Sequence, residues 1–152
     1  MRRFALIIFA LLLPINGMAL GVDDSYPDVE DETPLSSAEL EMAFKGKTHL
    51  GSYNFLHKNI TSYAFEETTF ADGNIRHEQQ GLVDTGTWDI TDDTICYDYD
   101  DPSLRQACFQ IYTRGNCYYH YHVSTQGVYG PYGFTARSVI DGQIANCEPS
   151  LV

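Results

Sequence analysis

The chain has 152 residues, 21 Asp and Glu against 9 Lys and Arg, a formal charge of −12 and 43% apolar residues. That acidic excess excludes binding to a phosphate backbone, which needs Lys and Arg to neutralise phosphates, and docking on anionic lipid. The length suits one domain plus a tail, and a basic partner, a cation or a neutral ligand stays open.

The N-terminus comes first in chain order. Arg2 and Arg3 precede an apolar run from Phe4 to Leu13, and Gly17 and Ala19 put small residues before a cleavage point. The run is shorter than the ~20 residues of a membrane span and is followed by acid, so residues 1–19 read as a signal peptide. Its removal leaves 133 of the 152 residues and, with Arg2 and Arg3 gone, a charge of −14. No cysteine precedes Cys96, so no lipid anchor is expected. Periplasmic or secreted material follows from these features. Residues 20–34 hold six acids and two prolines with little to bury, a disordered acidic leader to a domain at 35–152.

Ser36 and Glu39 have the spacing of a capping box, flanked by Leu35 and Leu40 as a hydrophobic staple. Leu40, Ala43 and Phe44 make an apolar stripe, and Gly46 can take the left-handed conformation that ends a helix. A short helix over 37–45 is therefore expected. Beyond Gly46 the periodicity becomes two. Runs near 47–55, 61–70, 74–80, 85–91, 94–99, 107–113, 117–124 and 133–139 are rich in Tyr, Phe, Thr, Ile and Val, with turn residues between them. Seven or eight short strands predict a mostly β fold, an antiparallel meander rolled into a small closed or nearly closed barrel. Closure follows from the edge problem, since an open sheet of this length exposes unpaired edges. The helix then caps one end and leaves the other for a ligand.

Four cysteines in a small exported chain predict two disulfides, and no C-x₂₋₄-C pair begins a zinc site. Alternation turns Trp88, Ile90, Ile95, Tyr97, Tyr99, Phe109 and Ile111 to one face and Cys96 and Cys108 to the other. Of three possible pairings this favours Cys96–Cys108 across neighbouring strands, leaving Cys117 for Cys147. Each bridge is worth roughly 3 kcal/mol on the chain-entropy account.

The stretch from Ser36 to Tyr121 resembles a family of small exported proteobacterial domains of unknown function. The resemblance is carried by Leu35 to Leu40, Gly46-Lys47-Thr48, Phe70 to Gly73, Gly86-Thr87-Trp88, Cys96, Cys108, and Cys117 to Tyr121. It implies a lipocalin-like (calycin-like) barrel in the periplasm and transfers no catalytic residue. The acidic leader departs from the family pattern.

Residues able to carry chemistry are few. His120 and His122 alternate to one strand face, where both imidazoles could meet one metal ion, with His49, His57 and His77 as candidate third ligands. A two-residue turn at Arg114-Gly115 pairs Ile111 with Tyr118 and draws the histidines inward. A three-residue turn pairs Ile111 with Tyr119 and turns them out, and the sequence leaves both open. Trp88, Tyr97, Tyr119 and Tyr121 are the candidate ligand-binding aromatics, since tyrosine joins an apolar body to a polar tip. Trp88 also reads as a plug for the barrel floor. Ser124 and Ser138 lack a nucleophile elbow, Asp98 to Asp101 lack the calcium-loop pattern, and Glu66 and Glu67 are the other carboxylates near one another. Asn59-Ile60-Thr61 matches a glycosylation sequon, and residues 127–133 form an aromatic, Gly-rich loop. No catalytic site and no cofactor are expected. The leading expectation is a module for a small apolar or aromatic ligand, ahead of an acidic interaction or inhibitor module for a basic exported protein, and then histidine-based metal binding.

Overall fold

The computed structural model describes residues 32–54, 64–102, 106–123 and 134–147. The signal peptide, most of the acidic leader, His57, the sequon, Ser124 and the loop at 127–133 lie outside the described residues. One helix, α1 (Ser37–Phe44), precedes eight strands: β1 (Lys47–Tyr53), β2 (Ala64–Thr69), β3 (Asn74–Gln79), β4 (Leu82–Thr91), β5 (Thr94–Tyr99), β6 (Ala107–Arg114), β7 (Cys117–His122) and β8 (Ala136–Ile140). All neighbours are antiparallel, and β8 returns to β1 to close the barrel. Closure pairs every strand on both sides, which removes the sticky edges an open meander would present.

Tight turns set the register on one side of each hairpin. Gln80-Gly81 and Asp92-Asp93 are two-residue loops with positive φ at both positions, the backbone twist that suits a right-twisted hairpin. At Asp93 a non-glycine residue is held there by the helix. Its Oδ1 accepts from the Ser37 amide at 2.6 Å and the Ser37 hydroxyl at 2.8 Å. Those bonds draw the Asp93 carboxyl below its usual range. The expected capping box is present as well, with the Ser36 amide donating to Glu39 Oε2 at 2.8 Å. Glu32, at the end of the leader, ion-pairs with Arg114 on β6.

The helix closes one end of the barrel. Leu40, Ala43 and Phe44 are buried against Ile75, Ile95, Tyr97, Phe109 and Ile111, and Trp88 and Leu35 pack on the margin. Trp88 Nε1 donates to the Phe70 carbonyl at 2.8 Å, with its ring half-buried at the margin of this cluster. The last carbonyls of α1 have no partner within the helix and are met by the barrel. The Thr69 hydroxyl donates to the Phe44 carbonyl, and His49 Nε2 donates to the Ala43 carbonyl at 3.1 Å.

That second bond orders a whole chain of protons. A carbonyl only accepts, so neutral His49 carries its proton on Nε2, and bare Nδ1 accepts from the Ser138 hydroxyl at 3.0 Å. Ser138 Oγ, having given its proton, accepts from His120 Nε2, also at 3.0 Å. Both rings are buried around Phe44, with His49 stacked on it at 4.3 Å and His120 edge-on at 5.9 Å. Burial lowers the pKa of His49, and burial followed by the neighbouring His49 lowers that of His120 to about 3.

Cys96 and Cys108 are directly opposed on β5 and β6 and bonded to each other; Cys117 is bonded to Cys147. Both bridges join the partners expected from alternation, and disulfides of this kind form in oxidising compartments.

Two outcomes test this packing. Leu40→Ala empties a fully buried site beneath the helix and is expected to cost about 3 kcal/mol in urea denaturation. The second concerns acid. The fold holds His120 neutral to about pH 3 while the unfolded chain protonates near 6.5, so this stability is complete above pH 6.5 and is lost as pH falls towards 3. Between those limits His120 adds a slope of about 1.4 kcal/mol per pH unit. Denaturation from pH 7 to 4 should show His120→Phe flattening the slope by about one proton; an unchanged slope would remove His120 from the account.

Candidate functional site

The face adopted by β7 decides which side chains line the interior. The β6–β7 connection is a two-residue turn, but it is made by Gly115-Asn116, one residue later than expected. Arg114 therefore pairs with Cys117 and Ile111 with His120, two positions from the two-residue register read from the sequence. A shift of two preserves the face, so Tyr118, His120 and His122 point inward. Tyr119 and Tyr121 correspondingly point outward, so these two candidate ligand-binding aromatics lie on the barrel's outer face. Tyr119 is buried on the outer face against Phe134 and Cys117, and Tyr121 packs edge-on to Tyr112. Tyr97 is inside and almost fully buried, and Trp88 is inside and half-buried.

His120 and His122 do share a face, but the first is committed to Ser138 and the second packs edge-on to Phe109 at 5.3 Å. Among the described residues no group of three or more His, Cys, Asp or Glu is arranged to hold a metal ion. His49 lies across Ser138 from His120 with both nitrogens engaged, and His77 sits in a different cluster.

That other cluster fills the barrel beyond the hydrophobic core. Alternation along Phe65-Glu66-Glu67 sends Glu67 inward, where it is 7% exposed, while Glu66 meets Arg76 outside. Glu67 Oε2 accepts from His77 Nδ1 at 2.8 Å and from the Tyr99 hydroxyl at 2.9 Å. Tyr53 lies 3.4 Å from His77 Nε2, and its ring packs on Phe65 at 4.7 Å. Burial first, and then the Glu67 charge, raises the pKa values of Tyr53, Tyr97 and Tyr99, keeping their hydroxyls as donors. The rings approach one another closely, with His77 to Tyr99 at 5.8 Å and Tyr97 to Phe109 at 6.0 Å. This is a buried charge held by hydrogen bonds and walled by aromatic rings, which satisfies Glu67 and fills the volume around it.

Open space lies on the other side of the wall. A groove of about 600 Å³ runs over the outer faces of β2, β1 and β8 and is bounded by the segment at 145–147. Leu50, Ala64, Val139, Ala145 and the Cys117–Cys147 bridge give it a mainly apolar lining, with Ser52, Arg137 and Asn146 as polar groups. The tail is fixed there by Asn116 as well as by sulfur. Asn116 Nδ2 donates to the Ile144 carbonyl at 3.0 Å, and its Oδ1 accepts from the Asn146 amide at 2.7 Å. Gly115 is required for this passage: its φ is +55°, and a Cβ there would lie 1.7 Å from the Asn146 carbonyl oxygen.

Arg137 and the tail were not singled out from the sequence. Arg137 sits mid-strand as one outward residue of β8, and nothing local indicates that residues 143–147 cross back towards it. The only trace was the cysteine pairing, which already tied Cys147 to β7. The chain matches no protein-family model, no curated protein and no solved structure.

Proposed function

We propose that this protein is an exported binding module for a small amphipathic molecule, held in the groove between the barrel wall and the tail. The groove carries the reading. Its volume of about 600 Å³ lies within the range of small-molecule sites, and its lining combines apolar surface with a few convergent polar groups. The barrel lumen supports this choice by contrast, because its described interior is occupied by packed aromatic rings and by the two hydrogen-bonded histidine clusters. The expected ligand therefore moves from the barrel axis to its flank.

Export is part of the same proposal. The two disulfides favour an oxidising compartment, and the N-terminal pattern adds a cleavable signal ending at Ala19. The bridge Cys117–Cys147 has a direct part in the site, since it pins the tail that forms one wall. Reduction in the cytosol would release that wall, so the binding-competent form belongs outside it.

The test is ligand-induced stabilisation of the oxidised, exported protein. A ligand at 100 times its Kd should raise stability by about 2.7 kcal/mol, read from thermal or urea denaturation across a panel of small amphipathic molecules. Ala145→Trp, at an exposed position on the groove wall, should abolish the effect while leaving the unliganded melting temperature within a few degrees. Stabilisation that survives this substitution, or none by any panel member, overturns the groove as the binding site.

A further inference from the structure

The groove carries a charge that the rest of the molecule leaves unexplained. Four Lys and Arg side chains besides Arg137 fall among the described residues. Lys45 pairs with Glu41, Arg76 with Glu66 and Glu78, and Arg114 with Glu32, while Lys47 is exposed to water at the start of β1. Arg137 is different: it is half-buried, lines the groove, and its guanidinium has no ion-pair or hydrogen-bond partner among the described residues. In a chain with 21 acids and 9 Lys and Arg, a lone arginine without a carboxylate beside it is unexpected. No Asp or Glu is among the described residues lining the groove.

A half-buried guanidinium loses part of its hydration and keeps five donors in a planar fork. The chemical group that restores what is lost is a carboxylate, which meets the fork with two parallel charge-assisted hydrogen bonds. Around it, Leu50, Ala64, Val139 and Ala145 offer apolar contact to the remainder of a ligand. We propose that the groove is specific for a small amphipathic carboxylic acid, its carboxylate on Arg137 and its apolar body along β1 and β8. This rests on the groove being the binding site and adds the charge and class of what it takes. The net charge of −14 that remains once residues 1–19 are removed opposes an approaching anion at long range, but salt screens that field within about 10 Å, so the local cation decides the bound state.

The experiment uses three probes of equal chain length, decanoate, decanol and decyltrimethylammonium, each below its micelle concentration, titrated calorimetrically into the oxidised exported protein. Decanoate should bind at least tenfold more tightly than decanol, and the cation most weakly. Arg137→Met keeps the stem's apolar cover and removes the fork; it should erase the preference of decanoate over decanol. Arg137→Lys should retain part of it, which separates loss of the charge from loss of the fork. Equal binding of decanoate and decanol by the unaltered protein overturns the carboxylate assignment and leaves the groove standing. Failure of all three to bind, or binding indifferent to Ala145→Trp, overturns the groove reading itself. Preference for an acetylated apolar tripeptide with a free C-terminal carboxylate over decanoate makes the ligand a peptide end and overturns the small-acid class.

Discussion

The return of β8 to β1 is the constraint on which the rest of this structure depends. Five residue pairs from His49–Ile140 to Tyr53–Ala136 complete the ring, and once they form, every strand has one face in and one face out. Gly51 sits in the middle of that seam. A side chain there would run into the Phe65 ring at 2.2 Å and the Arg137 carbonyl oxygen at 2.8 Å, so only a bare backbone lets the last strand approach the first. Closure then distributes the polar residues: Ser138 and His49 meet inside the seam, and Arg137 and Leu50 are left outside it.

The lumen is divided between two kinds of packing. At the helix end an aliphatic cluster meets a directed proton chain, His120 to Ser138 to His49 to the Ala43 carbonyl, which supplies the helix terminus with a donor it lacks. Towards the other end Glu67 is held by His77 and Tyr99 among stacked and tilted rings. Buried polar groups in both places are bonded to protein atoms, and a buried polar network of this kind favours one arrangement of the core over near alternatives. The neutral state of the two seam histidines follows from the same packing, because burial disfavours the imidazolium and outweighs the opposing Glu67 charge at His49.

The flank of the barrel has the opposite character. There the tail crosses over the β6–β7 turn, held by Asn116, by the fit of Gly115 beneath Asn146, and by the Cys117–Cys147 bridge. These restraints fix the tail on the turn, and residues 145–147 form one side of the groove beside it. A small domain gains both rigidity and a recess from one disulfide in this way.

How much of this was legible in the chain depends on the range of the interaction. The capping box, the short helix, the eight-strand meander, the inward set from Trp88 to Ile111 and both disulfide pairings come from neighbours in sequence or from strict alternation, and a period of two needs no knowledge of distant residues. The facing of β7 was already beyond that reach, since the sequence left a two-residue and a three-residue turn both open, and the two-residue turn at Gly115-Asn116 fits beneath the tail that packs over it. The two-residue turn sets Tyr119 and Tyr121 on the outer face, and closure against β8 makes His120 a partner for Ser138. Glu67 with His77, and Arg137 with the tail, arise only when strands far apart in the chain are brought side by side. Local pattern determined which residues point the same way, and the closing of the ring decided which of them meet.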